Sequence, residues 1–126
     1  MSNPRNPNIV RQGSIYWLKN CEPLDDDNVK DRPVVVVDDP ESLESGGPVI
    51  VVACSTKDRS SEPDKVKLPD RSTMPQTRSG LPKPCWAIPR WHFPVERERL
   101  SEYKGHLTGG VLKAVISAYL AHVFPR

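Results

Sequence analysis

The sequence lacks most of the features that would assign it to a familiar class. No apolar stretch approaches the roughly 20 residues of a membrane-spanning helix, and residues 1–8 are polar, with no apolar core of the signal-peptide kind. Cysteine is scarce: Cys21, Cys54 and Cys85 are odd in number, widely spaced, and have no second Cys or His at metal-ligand distance. These absences predict a cytoplasmic protein with reduced thiols and with neither a metal ion nor another cofactor.

Signatures of several enzyme classes are missing as well. The chain has no Ser-His-Asp order and no Walker-type glycine loop. Its 126 residues suffice for one modest core but not for two independent ones. A single domain with one active surface is therefore expected.

What the sequence does have in quantity is proline, with 14 residues beside 7 glycines. Proline interrupts helices, so this frequency favours short strands joined by turns. The two most apolar runs, 33–37 and 49–54, are predicted strands that pair as a hairpin across a turn at 38–47. The other predicted strands are 14–18, 65–68 and 85–88, the last of them closed by Pro89.

The pattern becomes helical near the end of the chain. Thr108 is the predicted N-cap and Pro125 the predicted stop. Short strands followed by one helix predict an all-β core with a helical lid. Residues 1–11 have almost nothing to bury and are expected to form a disordered arm ahead of one domain that spans 12–126. The apolar stripe of the predicted helix comprises Val111, Leu112, Val115, Tyr119, Leu120 and Val123.

Charge is distributed unevenly, although the formal net charge is only +2. Residues 20–44 include nine acidic side chains and only two basic ones, whereas residues 55–100 include ten basic and six acidic ones. Basic residues gathered on one face would let a phosphate backbone lie along it; dispersed, they would only keep loops soluble. The sequence leaves both interpretations open.

Four blocks of the sequence, taken in order, resemble the toxins of the MazF/PemK family. Residues 12–18, QGSIYWL, are similar to the opening strand of those toxins, and residues 30–36, KDRPVVV, to their Arg-Pro followed by an apolar strand. Residues 51–56, VVACST, are similar to the strand end where the family has a Thr or Ser pair. Residues 98–100, ERL, fall where the family has Arg-Leu ahead of the final helix.

The resemblance implies a mainly β fold, a partly open SH3-like barrel with a C-terminal helix. It also implies a homodimer, metal-independent cleavage of single-stranded RNA such as mRNA, and neutralisation by a cognate antitoxin protein in a type II toxin–antitoxin system. Ser14 stands where the family usually has an acidic residue, and Ser55 where its catalytic threonine is expected. The second difference keeps a hydroxyl and so keeps the chemistry available.

Arg32, Ser55 and Thr56 are the predicted catalytic residues. RNA cleavage without a metal drives a 2′-hydroxyl onto the neighbouring phosphate, which takes proton transfer and a cation against the developing charge. The guanidinium of Arg32 suits the second task, although Arg32 is also positioned to pair with Asp27 or Asp31 at the surface. Ser55 and Thr56 can either reach a phosphate or cap the end of their strand. Asp27 and Arg32 are both candidate proton acceptors.

Further residues are predicted to bind RNA because they are basic or aromatic. In residues 90–93, RWHF, Trp91 is expected to stack on an unpaired base, with a packed aromatic corner as the alternative. The predicted RNA-binding residues are Lys57, Arg59, Arg78, Lys83, Arg90 and Trp91.

Two alternatives belong to other functional classes. A nucleic-acid-binding or antitoxin-binding module of the same fold, without catalysis, is favoured by Ser14 and by the unusual length and proline content of residues 57–84. A gyrase-poisoning toxin of similar fold would present an apolar and aromatic tail, which the ending Phe124-Pro125-Arg126 does not resemble.

Overall fold

The computed structural model describes residues 10–21, 30–57, 62–100 and 102–124. Within these ranges the chain forms six strands and two α-helices. In chain order they are β1 (Ser14–Cys21), β2 (Lys30–Val36), α1 (Pro40–Glu44), β3 (Val49–Ser55), β4 (Val66–Leu68), β5 (Cys85–Val95), β6 (Glu102–His106) and α2 (Gly109–Val123).

The strands form one curled antiparallel sheet in the order β4-β5-β3-β2-β1-β6. β2 and β3 are paired through Val34–Ala53 and Val36–Val51, which confirms the predicted hairpin. The mainly β fold, a partly open barrel followed by a C-terminal helix, is likewise confirmed. No helix within the described ranges is long and apolar enough to cross a membrane.

Side-chain alternation divides the buried residues between two faces of the sheet. On one face, which we call the Trp91 face, Val34 and Val36 of β2 pack in a cluster with Trp91. On the other, the helix face, Val35 packs in a cluster with Val115 of α2. The Trp91 face also holds Tyr16, Leu18, Val49, Val51, Ala53, Ile88, Val95 and Leu100, and the helix face Ile15, Val52, Cys54, Leu68, Leu81, Cys85, Ala87 and Leu107.

α2 covers the helix face with one side of its surface. Thr108 occupies the N-cap position as predicted, and the helix ends at Val123. Val115 is fully buried, but Leu120 and Val123 are 43% and 37% exposed. The buried stripe is therefore shorter than predicted.

β5 is longer than predicted. It runs through Pro89 to Val95, so the prediction that Pro89 closes the strand is wrong. Its pairing with β3 shifts between Val52–His92 and Cys54–Ala87, and Pro89 lies in that irregular stretch. Proline is tolerated there because the ladder needs no N–H from a bulged residue.

α1 and β6 have no counterpart among the predicted elements. The segment expected to be a turn contains α1, which Asp39 caps by accepting a 2.8 Å hydrogen bond from the Ser42 N–H. β6 pairs with β1 along the edge of the sheet. Its sequence, EYKGH, has little strand propensity, so tertiary pairing decides its conformation.

The segment 69–84, between β4 and β5, folds against β6. A Cβ added to Gly80 would lie 1.9 Å from the carbonyl oxygen of Lys104, and one added to Gly105 would lie 2.1 Å from that of Arg78. The His106 N–H donates a 2.9 Å hydrogen bond to the same Arg78 carbonyl. Two glycines therefore let the segment lie directly on the edge strand.

Most of the predicted N-terminal arm, residues 1–9, lies outside the described residues. Val10 packs against the cluster of the Trp91 face, and the Arg11 N–H is 3.3 Å from the Ser14 hydroxyl. The packed structure thus includes at least two residues that the sequence assigns to the arm.

Candidate active site

The start of β2 and the end of β3 lie side by side in the sheet. The pairing of β2 with β3 runs from Val36–Val51 to Val34–Ala53, and Arg32 and Ser55 each lie two residues beyond its last pair. Because side chains alternate along a strand, both residues point to the Trp91 face. Two of the three predicted catalytic residues therefore lie on one face, near one end of the sheet.

Arg32 is nearly inaccessible in this arrangement, with 1% of its surface exposed. The centre of its guanidinium lies 4.9 Å from the centroid of the Trp91 ring, a cation–π contact. Its charge reaches Cys21, where burial raises the pKa of the thiol and Arg32 partly opposes that rise. This covered position differs from the surface position that the sequence allows for Arg32.

Ser55 is equally enclosed, with 1% exposure. Its hydroxyl oxygen accepts a 3.1 Å hydrogen bond from the Lys57 N–H. This contact is the local strand-end capping that serine commonly provides. Ser55 thus helps to shape the turn that follows β3.

Thr56 lies one residue further along and is exposed on the helix face. It lines a cavity of about 160 Å³, which we call the Thr56 pocket. The pocket lining consists of Trp17, Pro33, Thr56, Leu81, Pro82, Lys83, Cys85 and Lys104.

The Thr56 pocket combines apolar walls with basic groups. Lys83 and Lys104 are exposed lysines in its lining, and the Lys104 ammonium lies 5.8 Å from the centroid of the Trp17 ring. Nearby, Lys19 pairs with Glu102 at 3.5 Å on the surface. The pocket can therefore accommodate an apolar ring inside and an anion at its mouth.

Comparison with known proteins shows the family. The model of the PemK-like, MazF-like toxins of type II toxin–antitoxin systems matches residues 11–124. The chain belongs to this family. Among curated proteins, none matches its sequence significantly.

Solved structures resemble this toxin-family chain in fold. MazF from Deinococcus radiodurans has a TM-score of 0.69 at 16% identity, covering 91% of this chain and 96% of its own. An endoribonuclease in complex with its cognate antitoxin, from a mycobacterial species, has a TM-score of 0.68 at 17% identity, covering 93% and 98%. The Mycobacterium tuberculosis toxin MazF-mt6 has a TM-score of 0.62 at 18% identity, covering 88% and 95%. Identities this low establish the fold alone.

The residues predicted to bind RNA are scattered in this toxin-family structure. Lys83 joins the Thr56 pocket, and Lys57 is exposed just beyond β3. Arg78 is exposed, and its backbone carbonyl accepts a hydrogen bond from the His106 N–H of β6. Arg90 forms an ion pair with Glu62 on another part of the surface.

Trp91 is buried rather than available for stacking. With 1% of its surface exposed, the ring packs beneath Arg32 and offers no face to an RNA base. The packed-corner alternative describes it better, because the ring belongs to the main cluster of the Trp91 face. Arg59 and Asp27 lie outside the described residues, so their roles stay predictions.

Trp17 and Lys104 line the pocket but are absent from the predicted site. In the sequence, Trp17 is indistinguishable from any aromatic residue of a strand, because its exposure depends on which residues pack against that strand. Lys104 reaches it because β6 pairs with β1, with Glu102 opposite Trp17. The available signal was the alternation within β1, which turns Trp17 away from buried Tyr16 and Leu18.

The three thiols are free and buried. A hydrogen bond with the Cys85 thiol, together with burial, raises the pKa of Cys54 well above its usual value. Cys54 therefore stays a neutral thiol near pH 7 and acts as an apolar packing residue.

Proposed function

We propose that this family member is the toxin of a type II toxin–antitoxin pair and that it cleaves single-stranded RNA, such as mRNA, without a metal ion. The observation that supports the proposal is that Arg32 and Ser55 share one face of the sheet, each two residues beyond the Val34–Ala53 pair. Thr56 follows beside a basic pocket. The Arg32 cation and the Ser55 hydroxyl thus share one face, and the Thr56 hydroxyl lies on the other, at the strand end where the family resemblance expects the reaction.

The proposed reaction is an internal transesterification. The 2′-hydroxyl oxygen attacks the adjacent phosphorus as its proton is removed, and the bond to the 5′ oxygen breaks as that oxygen gains a proton. The products end in a 2′,3′-cyclic phosphate and a 5′-hydroxyl. Arg32 stabilises the negative charge that grows on the phosphate oxygens, and Ser55 donates a hydrogen bond to one of them.

In this proposal the two faces of the sheet have different tasks. Arg32 and Ser55 act in catalysis from the Trp91 face, whereas Thr56, Lys83 and Lys104 bind the RNA from the helix face. Because Arg32 and Ser55 are each 1% exposed, they must be uncovered before a phosphate reaches them. RNA held in the Thr56 pocket would lie beside this strand end.

We further propose that the protein forms a homodimer and is neutralised by a cognate antitoxin. Structural neighbours include an endoribonuclease in complex with its cognate antitoxin and a MazE–MazF complex. Lys83 and Lys104 at the Thr56 pocket favour an acidic, extended antitoxin segment that orders on binding. Such a segment would neutralise the toxin by occupying the RNA site.

Incubating the purified protein with a long single-stranded RNA in EDTA tests the proposal. Discrete fragments that end in cyclic phosphate are expected, and an RNA duplex of the same sequence should stay intact. The Arg32→Met variant, purified in parallel, should cut the same RNA far more slowly, which distinguishes this reaction from cleavage by a contaminating nuclease. RNA that remains whole after long incubation would contradict the proposed cleavage.

A second candidate is a binding module of the same fold that does not cleave RNA. The observation that favours it is the 1% exposure of both Arg32 and Ser55. In the same incubation, such a module would retain RNA or antitoxin binding and leave every RNA intact.

A further inference from the structure

The Thr56 pocket has the walls of a site for a flat apolar ring. Leu81 and Cys85 line it and are 3% and 1% exposed, and Pro33 is buried as well. Trp17 adds a half-buried indole. When a ring covers apolar surface of this kind, that surface is removed from water and the free energy of the complex is lowered.

The size of the pocket limits what can enter. Its volume is about 160 Å³, roughly ten times the space that one water molecule needs on the same measure. It is smaller than the ~300 Å³ at which pockets for drug-sized ligands begin. One planar ring fits inside, and the rest of a nucleotide must stay at the mouth.

The charges around the pocket fit a phosphate left outside. Lys83 and Lys104 are exposed cations in its lining, and Thr56 offers a hydroxyl there. A base inserted between Trp17 and Leu81 would bring its own backbone phosphate to these groups. Among the residues that the structure describes, no acidic side chain lines the pocket, so the described lining does not repel that phosphate.

We infer that the Thr56 pocket receives one unpaired base of the RNA, next to the phosphate that is cleaved, and that Trp17 is the residue that selects it. This inference rests on the proposed function and deepens it. A base within a duplex cannot enter, because its faces are stacked and its edge is paired. The pocket therefore makes the single-stranded state a condition of binding.

The wall that completes the pocket is fixed before RNA arrives. The Arg71 N–H donates a 2.9 Å hydrogen bond to the Leu81 carbonyl, and the Ser79 hydroxyl donates one of 2.6 Å to the Pro69 carbonyl. Gly80 rests on the backbone of Lys104. A preformed wall lowers the entropy that binding must remove, so base selection does not depend on loop closure.

The test separates base recognition from cleavage by using RNA that cannot be cut. A random-sequence single-stranded library with 2′-O-methyl groups is selected for binding to the full chain. An enriched oligonucleotide is then remade with an abasic site at each position in turn, and fluorescence anisotropy measures the affinity of each version. We expect one position at which loss of the base weakens binding roughly 10-fold or more, as for a base stacked on an aromatic ring.

Variants of Trp17 test whether the base at the sensitive position of the oligonucleotide binds in the Thr56 pocket. In Trp17→Ala, an abasic site at the sensitive position should not weaken binding further. In Trp17→Phe, which keeps a ring, the same abasic site should again weaken binding. Trp86→Ala is the matched control, because Trp86 is also half-buried and has the Lys67 ammonium 6.0 Å from its ring centroid. Trp86 packs on the opposite face, so its variant should retain the base-specific loss. Thermal melting by circular dichroism verifies that each variant is folded.

Each outcome bears on one of the two claims. A flat abasic profile in the natural protein, or an unchanged sensitive position in folded Trp17→Ala, would overturn the base pocket even if the RNA is cleaved. A base-specific loss that depends on Trp17 supports the pocket even if no RNA is cleaved, in which case only the proposed cleavage fails. A flat profile together with Trp17-dependent binding of an acidic peptide would instead assign the pocket to an antitoxin segment.

Discussion

At the shared end of β2 and β3, the consecutive residues Ser55 and Thr56 meet opposite environments. Arg32 and Ser55, on the Trp91 face, are each 1% exposed, whereas Thr56 is exposed on the helix face. A buried charge acts through a weakly screening medium, and an exposed one is screened by water and salt. At this strand end, the residues with the strongest electrostatic interactions are thus separate from the residue that the substrate can reach.

This separation predicts that variants on the two faces affect different kinetic constants. Losing a group that acts only in the transition state lowers kcat, and losing a group that binds substrate and transition state equally raises KM. Variants on the Trp91 face should therefore lower kcat, while variants at the Thr56 pocket should raise KM. If variants on both faces changed the same kinetic constant, the two faces would not have separate roles in catalysis and binding.

The largest effect is expected for Arg32→Met. Methionine keeps an apolar contact with Trp91 and removes the charge, so the fold should survive. Kinetics on single-stranded RNA should show kcat reduced by about 100- to 1000-fold, the range for losing one preorganised donor. KM should stay near its natural value, because the contacts of the helix face remain.

Arg97→Met is the matched control for that variant. The Arg97 guanidinium donates hydrogen bonds to the carbonyls of Gly47 at 2.8 Å and Leu43 at 2.6 Å, away from the strand end that carries Ser55. Its loss should lower the melting temperature and leave kcat unchanged. Natural kcat in folded Arg32→Met would remove Arg32 from the reaction, and equal kcat losses in both variants would point to stability alone.

The variants Ser55→Ala and Thr56→Ala each remove one of two adjacent hydroxyls, one on each face of the sheet. Ser55→Ala should lower kcat by about 100-fold, the lower end for a lost donor to the developing charge. Thr56→Ala should mainly raise KM, because Thr56 lines the exposed pocket. Steady-state kinetics on one RNA measure both constants. The reversed pattern would move the chemistry to the helix face and make Ser55 a structural cap.

The fold was largely predictable because its strongest signals are local. The valine runs of β2 and β3 are buried on both faces, and their pairing follows from their apolar character. Thr108 marked the start of α2 for the same local reason. β6 and the path of β5 beyond Pro89 were not predictable, since both depend on partners that are distant in sequence.

The residues of the candidate site could be proposed from the sequence, but their surroundings could not. Sequence and family resemblance together pointed to Arg32, Ser55 and Thr56, which lie at one end of the sheet. They did not predict that Arg32 stacks on Trp91, because a cation–π contact across strands leaves no sequence signature. Trp17 joins the pocket through the close packing of 69–84 on β6, which only three-dimensional contacts reveal.

Gly80→Ala is expected to damage the pocket wall while leaving the Trp91 face intact. Gly80 has φ +74°, and an added Cβ would lie 1.9 Å from the Lys104 carbonyl oxygen, so segment 69–84 must shift. Gly46→Ala is the control, because Gly46 has φ +82° but nothing within 4 Å. Urea unfolding should show a loss of about 1 kcal/mol for Gly46→Ala, the backbone cost alone, and a larger loss for Gly80→Ala.

The kinetic constants of these glycine variants then locate the effect. KM should rise in Gly80→Ala and stay unchanged in Gly46→Ala, while kcat should stay near its natural value in both. A matching loss of stability in the two variants would show that the contact between Gly80 and Lys104 is unimportant. A fall in kcat without a rise in KM would show that the two faces are coupled through this segment.

The smallest effect is expected for Lys83→Ala, and it appears mainly in the dependence of binding on salt. Each phosphate contact to a single strand contributes about 0.7 to the slope of log affinity against log salt concentration. The slope for an uncleavable 2′-O-methyl RNA should therefore fall by about 0.7 in Lys83→Ala. Lys113→Ala, which removes an exposed lysine of α2 outside the pocket lining, should leave the slope unchanged. An equal fall in both variants would mean that RNA responds to the overall charge of the protein, and the helix face would then lose its assigned part in binding.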